Sequence, residues 1–65
     1  MSKLKELRKS RKESADVAVY NMRKEHGYKR TLSTYHNHEA GKPISLSDAV
    51  VYAAYYGIKI EELVG

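Results

Sequence analysis

Apolar residues along this chain recur at helical spacing, and glycines break the pattern at Gly27, Gly41 and Gly57. Glycines of this kind sit just past helix C-termini, so they divide the chain into helix-sized pieces. In the first piece, about residues 2–10, Leu4 and Leu7 stand three apart among Lys, Glu and Arg, which predicts a short amphipathic helix with one narrow apolar edge. Ser14 is placed to cap a second helix that ends at Gly27, with Asp16 in its first turn. Projected at about 100° per residue, Ala15, Ala18, Val19 and Met22 share one face of it. Val17 to Tyr20 alone would also suit a strand, but a lone strand has nothing to pair with, so the segment reads as helix. A third helix is expected from about Thr31 to Ala40. Ser45 and Asp48, three apart, then form a capping-box variant opening a fourth, whose expected core stripe is Leu46, Ala49, Val50, Ala53 and Tyr56. Gly57 closes it, and Ile58, Ile60 and Leu63 predict a last short helical turn. The pattern as a whole predicts a single all-α domain over residues 1–65, a compact bundle of about five short helices.

Composition narrows what such a bundle does. At 65 residues the chain is near the lower limit for a self-supporting core, and without cysteine it has neither disulfides nor thiolate metal sites. That fits a reducing cytoplasm. No apolar run approaches the roughly 18 residues that span a bilayer, and the basic N-terminus leads into no signal-type apolar stretch, so no membrane partner is expected. Charge is unevenly placed: residues 1–30 hold ten of the twelve Lys and Arg and balance at +6, whereas residues 31–65 balance at −2. A basic half suits a polyanion, because each neutralised phosphate releases counterions.

The third helix adds a candidate reading surface. Counting from Lys29, the side chains of Lys29, Arg30, Ser33, Thr34 and Asn37 fall within about 140° of one another, and Leu32, Tyr35, His36 and Glu39 occupy the other side. One side can pack while the other enters a major groove, where Arg and Lys donate to guanine, Asn pairs with adenine and Ser or Thr serves either. Lys29, Arg30, Ser33, Thr34 and Asn37 are therefore the candidate base-contacting residues. Arg11, Lys12, Thr31, His38 and Lys42 are the candidates for phosphate.

The run Thr31-Leu32-Ser33-Thr34-Tyr35-His36-Asn37, followed by Lys42-Pro43, Leu46, Ala53 and Gly57-Ile58-Lys59-Ile60-Glu61-Glu62-Leu63, resembles the Cro and lambda-repressor (xenobiotic-response-element-like) helix-turn-helix family. That family runs T-I-S-x-Y-E-N-G…K-P-S-L…A…L-G-V-S-L-D-E-L, and Leu4-Lys5-Glu6-Leu7-Arg8 is similar to its first helix. The resemblance implies five helices, the second and third forming a helix-turn-helix, and binding as a dimer. With the chain's size it implies a phage or mobile-element regulator. Carried across, Lys29, Arg30, Ser33 and Thr34 fall on base-facing positions, Asn37 near the backbone-contacting helix end, and Leu32 and Tyr35 on core positions. The chain departs from the pattern: Ala15 stands where the family often has glutamine, His38 where it has glycine, and about four extra residues separate Arg8 from Gly27. A second register, three to four residues later, aligns Glu39-Ala40-Gly41 with E-N-G and pairs Arg8 with Glu39 as in the family. The first register is preferred here, since it buries Leu32 and Tyr35 rather than His38.

Other chemistry is poorly supported. His36 and His38, two apart on a helix, diverge by about 200° and cannot chelate one ion. A bundle this small offers no deep, water-excluding pocket, so no enzyme, cofactor or small-molecule ligand is expected. The six tyrosines, with no Phe or Trp, include Tyr52 and Tyr55, which with Val51 fall off the expected core stripe of the fourth helix and so form a candidate dimer interface. The sequence expectation is a repressor-type, sequence-specific regulator binding duplex DNA as a homodimer, with a recognition helix at about residues 31–40. The rival is a protein-binding helical module, such as an antitoxin or anti-repressor. RNA is less suited, since its major groove excludes a helix.

Overall fold

Local capping sets the boundaries of each helix. The structure, a computed structural model, describes residues 3–64. Five helices run in order: α1 Lys3–Ser10, α2 Ala15–His26, α3 Leu32–Glu39, α4 Leu46–Tyr56 and α5 Glu61–Val64. The expected start of α1 at Ser2 lies outside the described residues. Ser14 caps α2 by accepting from the Val17 N–H. At its other end Gly27, at φ 67°, sends its N–H to Arg23 O while Tyr28 N–H reaches back to Met22 O, closing the helix as a left-handed glycine does. Thr31 caps α3 and Ser45 caps α4, each accepting the N–H three residues on. No strand occurs among the described residues, and no helix there is long and apolar enough to cross a membrane.

Tyrosine builds the core. Leu4, Ala15, Ala18, Val19 and Met22 meet Tyr28, Tyr35, Tyr52 and Tyr55 in one buried cluster, with Leu32, Val51, Tyr56 and Leu63 packed at its edge. The ring hydroxyls are paired inside it. Tyr52 Oη lies 2.6 Å from both Tyr28 Oη and His38 Nδ1, Tyr35 Oη lies 2.7 Å from Tyr56 Oη, and Tyr55 Oη donates to the Glu13 carboxylate at 2.8 and 2.9 Å. Among the described residues no buried side-chain polar atom lacks a partner. Five of the six tyrosines thus lie in or against the core, and hydrogen bonds among their hydroxyls and to His38 and Glu13 offset the cost of taking those hydroxyls out of water.

The fourth helix is turned from its expected setting. Leu46 and Val50, assigned to the core from their spacing, are 71% and 48% exposed, whereas Tyr52 is fully buried and Tyr55 nearly so. The inward side comprises Asp48, Ala49, Tyr52, Ala53 and Tyr55, a rotation of about 80° from the expected stripe. Two effects drive it: each aromatic ring removes about 150–250 Å² from water, and every tyrosine hydroxyl on that side finds a partner. Val51, Tyr52 and Tyr55 consequently belong to the core or its margin and do not form the expected dimer patch.

Candidate nucleic-acid interface

The outward side of α3 is small and polar. Ser33, His36, Asn37 and Ala40 are exposed there, beside exposed Lys29, Arg30 and Thr31 in the preceding turn. Ser33 and Asn37 lie on the side read from the sequence. Lys29 and Arg30 do not belong to the helix, because the Thr31 cap starts it at Leu32. Thr34 is half-buried, and its Oγ1 accepts from the Thr31 hydroxyl at 3.2 Å, which turns it into part of the cap.

The packing side of α3 differs from the expected one by an exchange of histidines. His36, expected inside, is exposed, and His38, expected on phosphate, is buried against the Tyr52 hydroxyl. Burial pulls the His38 pKa below its ordinary value, so its ring is neutral and carries no charge to offer a phosphate. The structure contains the Arg8–Glu39 pairing of the second register, and it buries Tyr35, placed inside by the first register, together with His38. Glu39 is buried and accepts from Arg8 Nε at 2.6 Å and Nη2 at 3.2 Å, and Arg8 Nη1 also donates to the Glu13 carbonyl at 3.0 Å. Burial alone would raise the Glu39 pKa. The hydrogen bonds and charge of Arg8, with help from Tyr35, outweigh it and hold the carboxyl below the usual range. A buried carboxylate needs a paired cation, and this requirement outweighs whatever is lost by covering a histidine.

Arg30 is held in place. Its Nε donates to Asp48 Oδ1 at 3.1 Å and Oδ2 at 2.9 Å, and its carbonyl accepts from Arg23 Nη2 at 2.9 Å. Asp48 is buried, fixed in turn by the Ser45 hydroxyl at 3.0 Å, while the Arg30 side chain stays 48% exposed. Among the described residues the two terminal amino groups of Arg30 have no partner, so the guanidinium is anchored on one edge and open on the other. A cleft of about 380 Å³ between residues 27–30 and the first turns of α4 gives that edge access. Asp48 is thus a site residue that the sequence reading treated only as a cap, since a pairing across 18 residues leaves no local signature.

The phosphate candidates divide. Lys12 and Lys42 are exposed in turns, Lys12 at φ 56°. Arg11 is committed to the fold, with its guanidinium 4.4 Å from the Tyr55 ring centre and its Nε 3.2 Å from Glu13. Three of the cations in the basic half, Arg8, Arg11 and Arg30, therefore face internal carboxylates, and lysines supply most of the remaining positive surface. Family models, curated proteins and solved structures were each compared with the chain, and none matches it.

Proposed function

We propose that this chain is a sequence-specific duplex-DNA-binding regulator of the repressor type, in which α2, residues 27–31 and α3 act as a helix-turn-helix and α3 enters the major groove. One observation carries the reading. The only acid on α3, Glu39, is folded inward onto Arg8, which leaves an outward side of Ser33, His36 and Asn37, followed by the Ala40 cap, without negative charge. A merely solvated helix has no need to be cleared of acids, whereas a helix lying between phosphate backbones does.

The roles follow from chemistry. Asn37 has the paired donor and acceptor that match the adenine edge, and Ser33 and His36 suit single base contacts. Arg30, braced by Asp48, presents its open edge to a guanine or a phosphate, and Lys12, Lys29 and Lys42 neutralise phosphates on either side. Repression then follows from occupying the site. The resemblance to the Cro and lambda-repressor family supports the same reading.

Fluorescence anisotropy against duplexes of defined and random sequence, over a range of salt, tests it. Asn37→Ala should lose about 1–3 kcal/mol on the preferred duplex only, and Lys42→Ala should weaken every duplex and lower the salt slope by about one. A chain that binds no duplex with a steep salt dependence is instead a protein-binding module.

A further inference from the structure

The cleft beside Arg30 is larger and less polar than a contact to phosphate requires. Its lining divides by chemistry. Lys29 and Arg30 supply positive charge and Ser47 a hydroxyl. Gly27, Tyr28 and Val51 supply no charge, and the Tyr28 hydroxyl is already taken by Tyr52. The Asp48 carboxylate also lines the cleft, but it is committed to Arg30 Nε and the Ser45 hydroxyl. A bare phosphate satisfies the cations and leaves the uncharged part of the 380 Å³ unfilled. Sites for small molecules begin at about 300 Å³ and join apolar lining to a few convergent polar groups.

We propose that this cleft binds a small organic carboxylate, with its carboxylate on the open edge of Arg30 and its hydrocarbon body against Tyr28 and Val51. Two features select that class. Asp48 fixes Arg30 through Nε before any ligand arrives, so the two terminal amino groups are oriented in advance. A planar carboxylate meets such a pair in two parallel hydrogen bonds. Charge balance agrees: Lys29, Arg30 and Asp48 together leave one positive charge on the lining, which a single carboxylate neutralises. The sequence alone predicts no small-molecule ligand, because the pairing of Arg30 with Asp48 that builds the cleft spans 18 residues.

The site has a consequence that rests on the function proposed above. The edge of Arg30 that takes the carboxylate is the edge assigned there to DNA. An occupied cleft therefore removes one contact to the duplex, and a small acid becomes a signal that loosens the regulator.

Benzoate is the probe, benzamide its uncharged counterpart, and inorganic phosphate the anion without a hydrocarbon body. Added to the DNA-free chain at constant ionic strength, benzoate should shift the backbone amide NMR signals of residues 27–30 and 47–51. The shifts should saturate with a Kd on the order of 1–10 mM, as a ligand this small allows. Benzamide and phosphate should each bind at least about tenfold more weakly, for want of the paired charge or of the apolar contact. Arg30→Lys keeps a cation beside Asp48 but loses the planar fork, and should weaken benzoate about tenfold. Val51→Phe leaves Arg30 intact, fills the cleft and should weaken benzoate as much, with circular dichroism checking that both variants fold. Equal binding of benzamide or of phosphate, or no saturable shift at these residues, would overturn the site. The effect on DNA is read separately. Saturating benzoate should raise the Kd of the preferred duplex about tenfold, as for one lost charge-assisted contact. Unchanged duplex affinity with the cleft filled would overturn the signalling role. Benzoate binding by a chain that binds no duplex would uphold the site and remove the DNA-binding function instead.

Discussion

His36 and His38 stand two residues apart on α3 and end in opposite surroundings, one in solvent and one under Tyr52. The buried ring makes a pH prediction with a definite sign. Its folded-state pKa is lowered by burial, with Asp48 opposing and Arg30 reinforcing the shift. Above about pH 6.5, the ordinary imidazole value, both folded and unfolded chains carry it neutral and its full contribution to stability is present. Below that the unfolded chain protonates first, and stability falls by up to about 1.4 kcal/mol per pH unit until the folded ring protonates too. Glu39, also depressed, adds a second loss that begins near the ordinary carboxyl value and runs downward. Urea denaturation of the chain and of His38→Gln from pH 8 to 5 should differ in slope only below about pH 6.5. Identical slopes would mean the ring is solvated. Asp48 supports a second prediction at this scale. Asp48→Asn raises the net positive charge, which alone would strengthen DNA binding, yet it unfastens Arg30. Affinity for the preferred duplex should fall about tenfold, close to 1.4 kcal/mol, as for one lost charge-assisted contact. A gain in affinity would show that Arg30 needs no anchor.

Helix boundaries were legible in the sequence because they are made locally. Ser14, Thr31 and Ser45 each satisfy an N–H three residues on, and Gly27 and Gly57 adopt the left-handed backbone that ends a helix. The facing of α3 and α4 was not legible, because it depends on partners distant in the chain. Tyr52 ranks below Leu46 on any scale of apolar character, and only His38 and Tyr28 make it a core residue. Glu39 is drawn inward by an arginine 31 residues away. Of the candidate surface, the outward placement of Ser33 and Asn37 was legible from periodicity, while that of His36 and the pairing of Asp48 with Arg30 were not, for the same long-range reason. The setting of α4 is tested by paired substitutions. Tyr52→Ala should cost about 3–5 kcal/mol, the range for removing a large aromatic from a core, with His38 and Tyr28 also left without a partner. Leu46→Ala should stay within about 0.5 kcal/mol. Thermal unfolding followed by circular dichroism measures both, and a large loss for Leu46→Ala would restore the setting expected from the sequence.

At the scale of the whole molecule, the fold distributes charge so that one helix faces outward without acids and another without any charge. Three arginines face carboxylates of the bundle: Arg8–Glu39 ties α1 to α3, Arg30–Asp48 ties the turn before α3 to α4, and Arg11–Glu13 stays local to the turn between α1 and α2. What remains outside is α3, small and polar, among lysines. The central claim is that this side of α3 reads base sequence, and selection of bound duplexes from a random pool tests it most directly, run in parallel for the unmodified chain and Asn37→Ala. The account predicts a defined consensus for the unmodified chain and loss of preference at one base-pair position in the variant. Pools that stay random, or a consensus untouched by Asn37→Ala, would contradict it.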